Sequence, residues 1–278
     1  MKGTAEDMRY PTIYLSHGAG PWPFMEIPAA FGPRAEWEGL AGYLRDIGRT
    51  IMPRPRAVLV ITAHWVATRP TVSAAEQPAL LYDYSGFPPE TYHLSYPAPG
   101  APVLAARVHA LLNGAGIECD EDARRGFDHG TFVPLMLIYP EADVPIVQLS
   151  LRRGLDPRVH LDIGRALRPL REEGVLIIGS GMSYHNMRAF FSPRSEHVEA
   201  GERFDAWLTA AVERADPEER ARELEQWEQA PGGLASHQPT FEHLTPLFVT
   251  AGAAGEDRGR RVYSGRLIGM PVSGYQFG

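Results

Sequence analysis

The stretch that decides the fold is AVLVITAHW, residues 57–65. A continuous run of apolar and β-branched residues of this length is typical of a strand buried on both faces, as in a parallel sheet. The run ends at His64, followed by Trp65. Ligands of open α/β sheets bind outside the carboxyl ends of such strands. We therefore expect His64 to lie where a functional site forms.

Two further runs repeat this arrangement. Residues 11–16, PTIYLS, lead directly into His17, and residues 175–181, VLIIGSG, lead into a short turn that carries His185. One histidine at a strand end carries little information. Three strands that each deliver a histidine at the same end suggest one shared site.

The rest of the chain alternates strand-like and helix-like stretches, which predicts an α/β fold. We expect a single catalytic domain over residues 1–278, with a central, mostly parallel or mixed sheet flanked by helices and a metal site at the carboxyl ends of the strands. No internal repeat or linker interrupts the pattern. The expected helices span 35–49, 102–112, 158–173, 196–214 and 217–229, and further strands are expected at 117–119 and 144–150.

Composition excludes several classes of function. The chain has 278 residues, 44% of them hydrophobic, and a net charge of −7, so it is predicted to be globular with no affinity for nucleic acid or anionic membranes. No stretch approaches the roughly 20 apolar residues of a membrane span. The first residues lack the apolar core of a signal peptide, and we expect a cytoplasmic protein. Cys119 is the single cysteine, which leaves any metal to nitrogen and oxygen ligands.

Residues 76–100 form a long segment rich in tyrosine and proline. Loops of this length in compact domains are usually functional, so the segment is expected to wall a pocket. Its tyrosines between Tyr82 and Tyr96, together with Trp65, either stack on an aromatic ligand or pack in the core.

The ten histidines differ in their sequence context. His17 and His64 end buried strands, and buried imidazoles that cluster commonly bind metal. Five other histidines stand in polar, loop-like or helical contexts, and we interpret them as structural or exposed: His93, His109, His160, His197 and His237.

Three more histidines are candidates with alternatives left open. The turn of His185 could aim it toward the strand ends or elsewhere. His129 is either a satisfied turn residue or an acid/base group. His243 lies at or just before the first turn of a helix, where a neutral ligand is favoured over a cation. Glu242 either supplies a carboxylate or supports the helix cap.

Glycine-rich pieces of the chain do not indicate nucleotide binding or serine catalysis. Residues 18–20 and 179–181 match neither a dinucleotide nor a phosphate-binding loop. Ser180 is not in the Gly-x-Ser-x-Gly frame of a nucleophile elbow.

Seven short motifs, in consistent order over residues 11–277, resemble the class III extradiol ring-cleaving dioxygenases, in particular the DOPA 4,5-dioxygenase-like branch. The motifs are SHG at 16–18, TAHW at 62–65, YPAPG at 96–100, GFDHG at 126–130, VQLS at 147–150, GSG at 179–181 with HN at 185–186, and PTFEH at 239–243.

The resemblance implies a non-haem metal, usually Fe(II) and sometimes zinc, lined by His17, His64, His185 and His243. More distant members use two histidines and a glutamate, with a further histidine as acid/base, so His185 is implied either as ligand or as proton carrier. His129 matches a histidine that handles substrate and protons. Relatives often carry His-Pro where this chain has Gln238-Pro239, so no role is carried over to His237.

The implied reaction inserts O2 into the ring of a catechol-type, DOPA-like substrate. Catalytic roles then fall to His129 and His185, because histidine titrates near neutral pH. Two alternatives remain: a zinc hydrolase with Glu242 as the base, and a metal-binding protein without activity. The sequence leaves the oligomeric state open.

Overall fold

The computed structural model describes residues 9–278. Within them, eight strands form one mixed sheet and two short strands form a second. The strands are β1 Thr12–Ser16, β2 Ala57–Ala67, β3 Thr71–Ser73, β4 Asp120–Asp122, β5 Ile146–Arg152, β6 Val175–Gly181, β7 His185–Asn186, β8 His237–Gln238, β9 Gly259–Leu267 and β10 Met270–Phe277.

The large sheet has the order β4-β3-β5-β2-β6-β1-β10-β9. Its centre is parallel, since β2 pairs in parallel with β5 and β6, and β6 with β1. The hairpin β9–β10 closes one side in antiparallel fashion against β1. The strands β1, β2 and β6 are therefore neighbours whose carboxyl ends meet at one edge.

Helices cover both faces of this sheet. They are α1 Arg34–Thr50, α2 Pro102–Gly114, α3 His129–Ile138, α4 Pro157–Leu167, α5 Met187–Phe191, α6 Ser195–Val212, α7 Pro217–Glu225, α8 Gly233–Ser236 and α9 Thr245–Ala254. Because side chains alternate along a strand, Val58 and Val60 of β2 share a core with α1 and α3, whereas Leu59 and Ile61 share another with α2, α4 and α9. The predicted α/β class with a mixed sheet and flanking helices is confirmed.

Several boundaries differ from those expected. The helix predicted over 158–173 ends at Leu167, and a 3-10 turn, Arg168–Arg171, follows because Pro169 cannot continue an α-helix. The helix predicted over 217–229 ends at Glu225 before a second 3-10 turn, Trp227–Gln229.

The strand predicted at residues 117–119 is wrong by three residues. The paired residues are Asp120–Asp122 in β4, which lies at the edge of the sheet beside β3. Edge strands commonly carry charges, which discourage pairing with other chains. The strand was predicted too early because apolar residues precede the charged residues that actually pair.

Among the elements not expected from the sequence, α3 and the β9–β10 hairpin matter most for the site. His129 begins the ten-residue helix α3, which is buried almost all round and carries Pro134 inside. The hairpin β9–β10 supplies the strand beside β1.

Among residues 9–278, no helix combines the length and the apolar character that crossing a bilayer requires.

Candidate metal centre

Three of the histidines expected at the site converge. The Nε2 atoms of His17 and His64 lie 3.1 Å apart. One potential ligand atom from each of His17, His64 and His243 lies within 4.8 Å of the others. His17 and His243 are buried, and His64 is half-buried. Residues separated by more than 220 positions in sequence thus meet at the carboxyl ends of β1 and β2.

The approach of His243 depends on close backbone contact. The amide of Met182 and the hydroxyl of Tyr14 both donate to the carbonyl oxygen of His243, at 3.0 and 2.7 Å. Gly181 faces the same carbonyl, and a Cβ at this position would lie only 1.9 Å from it. The absence of a side chain at Gly181 therefore lets the segment before α9 reach the end of β6.

The imidazole of His17 is held through its Nδ1 atom. Ser180 donates its hydroxyl to the carbonyl of Gly130, so its oxygen accepts from Nδ1 of His17 at 3.1 Å. That carbonyl is available because Pro134, four residues along α3, has no N–H to donate to it. With the proton on Nδ1, the Nε2 atom of His17 keeps a free lone pair.

His243 has a comparable partner, whereas the carboxylate nearest to His64 is more distant. Nδ1 of His243 lies 3.1 Å from Oε1 of Glu242, and Nδ1 of His64 lies 3.7 Å from Oδ2 of Asp83. Histidines that bind metals nearly always donate their second nitrogen to a carboxylate, a carbonyl or water. His17 and His64 direct Nε2 toward each other, and the Glu242 contact at Nδ1 leaves Nε2 of His243 free to bind a metal.

Burial keeps these imidazoles neutral. It lowers the pKa of His17 and of His243 well below the ordinary value, and the neighbouring histidines lower both further. The pKa of His64 falls to about 3, chiefly through burial. Neutral imidazole is the form that binds a metal.

The donor set fits a metal ion. Two imidazole nitrogens bound to one tetrahedral zinc at about 2.0–2.1 Å lie about 3.3 Å apart, close to the 3.1 Å between His17 and His64. Two facing lone pairs at this distance repel each other unless a cation or a proton lies between them. Nitrogen and oxygen donors of this kind suit Fe(II) or Zn(II).

His129 lies beside this cluster with a carboxylate partner. Its Nδ1 atom is 2.8 Å from Oδ1 of Asp83, and its backbone amide donates to the same oxygen at 2.9 Å. Its ring centroid is 3.9 Å from that of His64. Burial raises the pKa of Asp83, but the hydrogen bonds and charges of His129 and His64 outweigh it, and the net shift is downward. Asp83 is thus an ionised carboxylate that fixes the His129 ring.

His185 stacks on His243, with ring centroids 3.6 Å apart and planes at 14°. It is largely buried, which lowers its pKa to about 4. Its Nδ1 atom has no hydrogen-bond partner among the described residues. An imidazole with an unsatisfied nitrogen this close to the cluster is available to a ligand.

These histidines lie at the base of a cavity of about 890 Å³. His17, His64, His129, His185 and His243 all line it. The wall is largely apolar and includes the aromatic residues Phe31, Trp37, Tyr84, Phe87, Phe190 and Phe191. A site with this lining can hold a flat apolar ring with its polar edge against the imidazoles.

Residues 11–277 match the family model described as the catalytic LigB subunit of aromatic ring-opening dioxygenase. The chain belongs to this family. It is 40% identical to the 4,5-DOPA dioxygenase extradiol of Beta vulgaris, over 91% of this chain and 90% of the relative. It is 42% identical to dioxygenase tasH of Hapsidospora irregularis, over 96% of this chain and 85% of the relative.

The fold is shared with a solved structure. An uncharacterised protein of Escherichia coli K12 superimposes with a TM-score of 0.76 and 31% identity, covering 97% of this chain and 100% of that chain. The resemblance drawn from the motifs is confirmed, and the protein is an extradiol ring-cleaving dioxygenase. Its reaction class implies O2 and an aromatic small molecule as substrates.

The predicted candidates of this dioxygenase are placed as follows. His17, His64 and His243 meet, and His129 and His185 lie beside them. Glu242 contacts Nδ1 of His243 and the hydroxyl of Thr240. The histidines assigned no role do not line the cavity: His93, His109, His160, His197 and His237.

The aromatic segment 76–100 does wall the cavity, through residues 84–88. Trp65 does not line it and packs instead under the guanidinium of Arg125, 4.8 Å from its ring. Tyr96 is buried against α3, where its hydroxyl donates to the carbonyls of Leu135 and Tyr139. Of the two interpretations of these aromatic residues, core packing holds for Tyr96, and half-buried Trp65 fits neither, since it packs on Arg125 outside the cavity.

The sequence interpretation missed two residues of the dioxygenase site. Asp83 lies in the aromatic segment between Tyr82 and Tyr84, and no local pattern distinguishes it from an ordinary surface carboxylate. Ser180 was considered only as a nucleophile, whereas its hydroxyl orients His17. Both act through histidines that are distant in sequence.

Proposed function

We propose that this dioxygenase uses a non-haem metal, held by His17, His64 and His243, to insert O2 into the ring of a catechol-type substrate. One observation carries the proposal. Two buried Nε2 atoms face each other at 3.1 Å, at the base of an aromatic cavity, while the Nδ1 atoms of all three histidines face protein partners.

Fe(II) is the metal proposed for activity, and Zn(II) is the competitor for the same donors, because zinc binds most nitrogen sites more tightly. When bound, Fe(II) supplies a redox-active template that accepts both the catechol and O2. The side chains of the protein orient the substrate and transfer its protons.

The cavity wall orients the aromatic ring and keeps water from it. Tyr84, Phe87 and Phe190 all line the cavity. Held edge-on to the histidines, a catechol presents its hydroxyl groups to the cluster.

His129 is proposed as the acid/base group. Asp83 fixes its Nδ1 atom, so its Nε2 atom is left to take or return a proton on a substrate oxygen. The carboxylate also stabilises the protonated ring while the proton is held there.

His185 is proposed to act mainly on a substrate oxygen once the catechol is bound, although it stands close enough to His243 to take part in metal binding. Its unsatisfied Nδ1 atom and its stacking on His243 support either use. In a zinc-bound resting form all four histidines, His17, His64, His185 and His243, would serve as ligands.

The relatives named 4,5-DOPA dioxygenases make a DOPA-like catechol the reference substrate. We propose that residues 1–278 act as one catalytic domain. The cytoplasmic location also stays a prediction.

A zinc hydrolase would need a carboxylate base free to activate water. Glu242 is engaged by His243 and by the Thr240 hydroxyl, and Asp83 is engaged by His129. These contacts favour the dioxygenase.

The test is purification without oxygen, loading with Fe(II) and addition of catechol, 4-methylcatechol or DOPA in an oxygen-electrode cell. We expect one O2 consumed per catechol and a yellow ring-opened product. Zinc-loaded protein is the control and should consume none. Uptake of no oxygen by fully iron-loaded protein with every catechol would overturn the proposal.

A further inference from the structure

Charge is unevenly distributed around the substrate cavity. Of the described residues that line it, none is an arginine or a lysine, and Glu26 is the one carboxylate. Glu26 is exposed and lies between two 3-10 turns, Trp22–Phe24 and Ala29–Phe31. A substrate group far from the metal therefore meets either apolar surface or a negative charge.

Carboxylates also predominate behind the histidines. Asp83 and Glu242 stand next to His129 and His243. Arg125 is near, but its guanidinium donates to Asp128 at 3.1 Å and to the His64 carbonyl at 3.3 Å, and it does not line the cavity. The described residues that line the cavity thus include no cation for a carboxylate on the substrate.

The mouth of the cavity is apolar. Phe191 is 81% exposed and Met187 is 38% exposed, although both belong to the cavity lining on α5. Leu267 and Ile268 line the cavity as well. Exposed apolar side chains beside a cavity are typical of a surface that covers an apolar part of a ligand.

From these observations, and resting on the proposed catechol cleavage, we infer that the preferred substrate is a catechol with an apolar ring substituent and no carboxylate. An ammonium group at the end of the substituent is accommodated by Glu26. A carboxylate buried in this cavity would lose its hydration without gaining a charged partner, which is costly. Among the DOPA-like catechols proposed above, those without the carboxylate should therefore match the cavity better than DOPA itself.

The test uses three catechols whose 4-substituents are nearly equal in size: propyl, 2-aminoethyl and carboxymethyl. Binding is measured without oxygen through quenching of the tryptophan fluorescence, to which Trp37 in the cavity wall contributes, and turnover is measured through oxygen uptake. We expect the propyl and aminoethyl compounds to bind at least about tenfold more tightly than the carboxymethyl compound. Equal binding, or tightest binding of the carboxymethyl compound, would contradict the inference.

Variants at Glu26 test how much its carboxylate contributes to the preference among the three catechols. Glu26→Gln should lower the aminoethyl-to-propyl ratio of kcat/KM by about threefold, since an exposed charge is screened. Glu26→Arg should improve binding of the carboxymethyl compound. Glu90→Gln, an exposed glutamate that does not line the cavity, is the matched control and should change neither.

Failure of the proposed function and failure of the inferred substrate preference give different results. If no catechol is cleaved, the proposed function fails, yet the anaerobic binding order still decides whether the cavity rejects carboxylates. If all three catechols are cleaved and bound equally well, the function stands and the inference fails.

Discussion

At the scale of single residues, the site depends on how each histidine is held through Nδ1. Ser180 holds His17, Glu242 holds His243 and Asp83 lies near His64. Ser180 and Glu242 each orient one ring and leave its Nε2 atom free. The proposed metal site therefore needs these rings more than any other side chains.

His17→Ala and His64→Ala should each lose stoichiometric metal and activity while keeping the fold, because each removes one Nε2 donor. Metal content by elemental analysis and circular dichroism are the measurements. His109→Ala, on α2 and outside the cavity, is the control and should retain both. Unchanged metal content in both variants would show that the ligands lie elsewhere.

His129→Ala should keep metal and catechol binding but lower kcat by about 10²–10⁴-fold, as expected for a lost acid/base group. Asp83→Asn should lower kcat less, by about tenfold, because the ring stays but loses its orienting carboxylate. Single-turnover kinetics at fixed iron loading measure both. Wild-type rates in His129→Ala would remove it from the mechanism.

Some of these site residues could be identified from the sequence, and others could not. His17 and His64 could be identified because an apolar strand ends at each, and strand ends share an edge. His243 needed the family resemblance in addition. Asp83 could not be placed, because its position depends on how residues 76–100 fold over α3.

At the scale of elements, the contact between β6 and the segment before α9 positions His243. Gly181→Ala should destabilise the protein by about 1–3 kcal/mol, since the added methyl group overlaps the His243 carbonyl. Metal retention should fall as His243 moves.

Denaturant unfolding and metal analysis measure the effect of Gly181→Ala. Gly42→Ala is the matched control, because Gly42 lies within α1 with open space around its Cβ position and should gain stability. Wild-type stability of Gly181→Ala would show that the backbone contact is not tight.

The contact between α4 and β5 should make the stability of the protein depend on pH, because it includes His160. Burial lowers its pKa to about 4, and its Nε2 atom accepts from the Arg152 amide at 3.1 Å. The folded pKa lies below the unfolded value, so stability is present above about pH 6.5 and is lost as pH falls toward 4.

In metal-free protein, the free energy of unfolding should therefore fall between pH 7 and pH 5 by about 2 kcal/mol less in His160→Gln than in wild type. Urea unfolding at the two pH values, compared with wild type, gives this difference. The same pH dependence in both proteins would exclude His160 as the source.

Elements were predicted where one local signal dominates. Residues 57–61 are all apolar, and the strand is buried from Ala57 to Ala63 as expected. The helix α3 escaped prediction because Gly130 and Pro134 weaken the helical pattern and tertiary packing overrides them. The hairpin β9–β10 carries polar residues on its outer strand, so no apolar run marks it.

At the scale of the whole molecule, the cavity is assembled from segments far apart in sequence. The turn after β1, the aromatic segment, α5 and residues 267–268 all contribute to its wall. Local patterns predict each segment but not their meeting, which depends on the order of strands in the sheet. The α/β class was predictable from alternation, whereas the shape and charge of the cavity required the structure.

The central claim is that the protein places both atoms of O2 into a ring-opened catechol. The most direct test is mass spectrometry of the product from iron-loaded protein under ¹⁸O2, with borohydride present to trap the aldehyde oxygen before it exchanges with water. The account predicts two labelled oxygen atoms per product molecule, and none from His64→Ala. A product that carries oxygen only from water would contradict it.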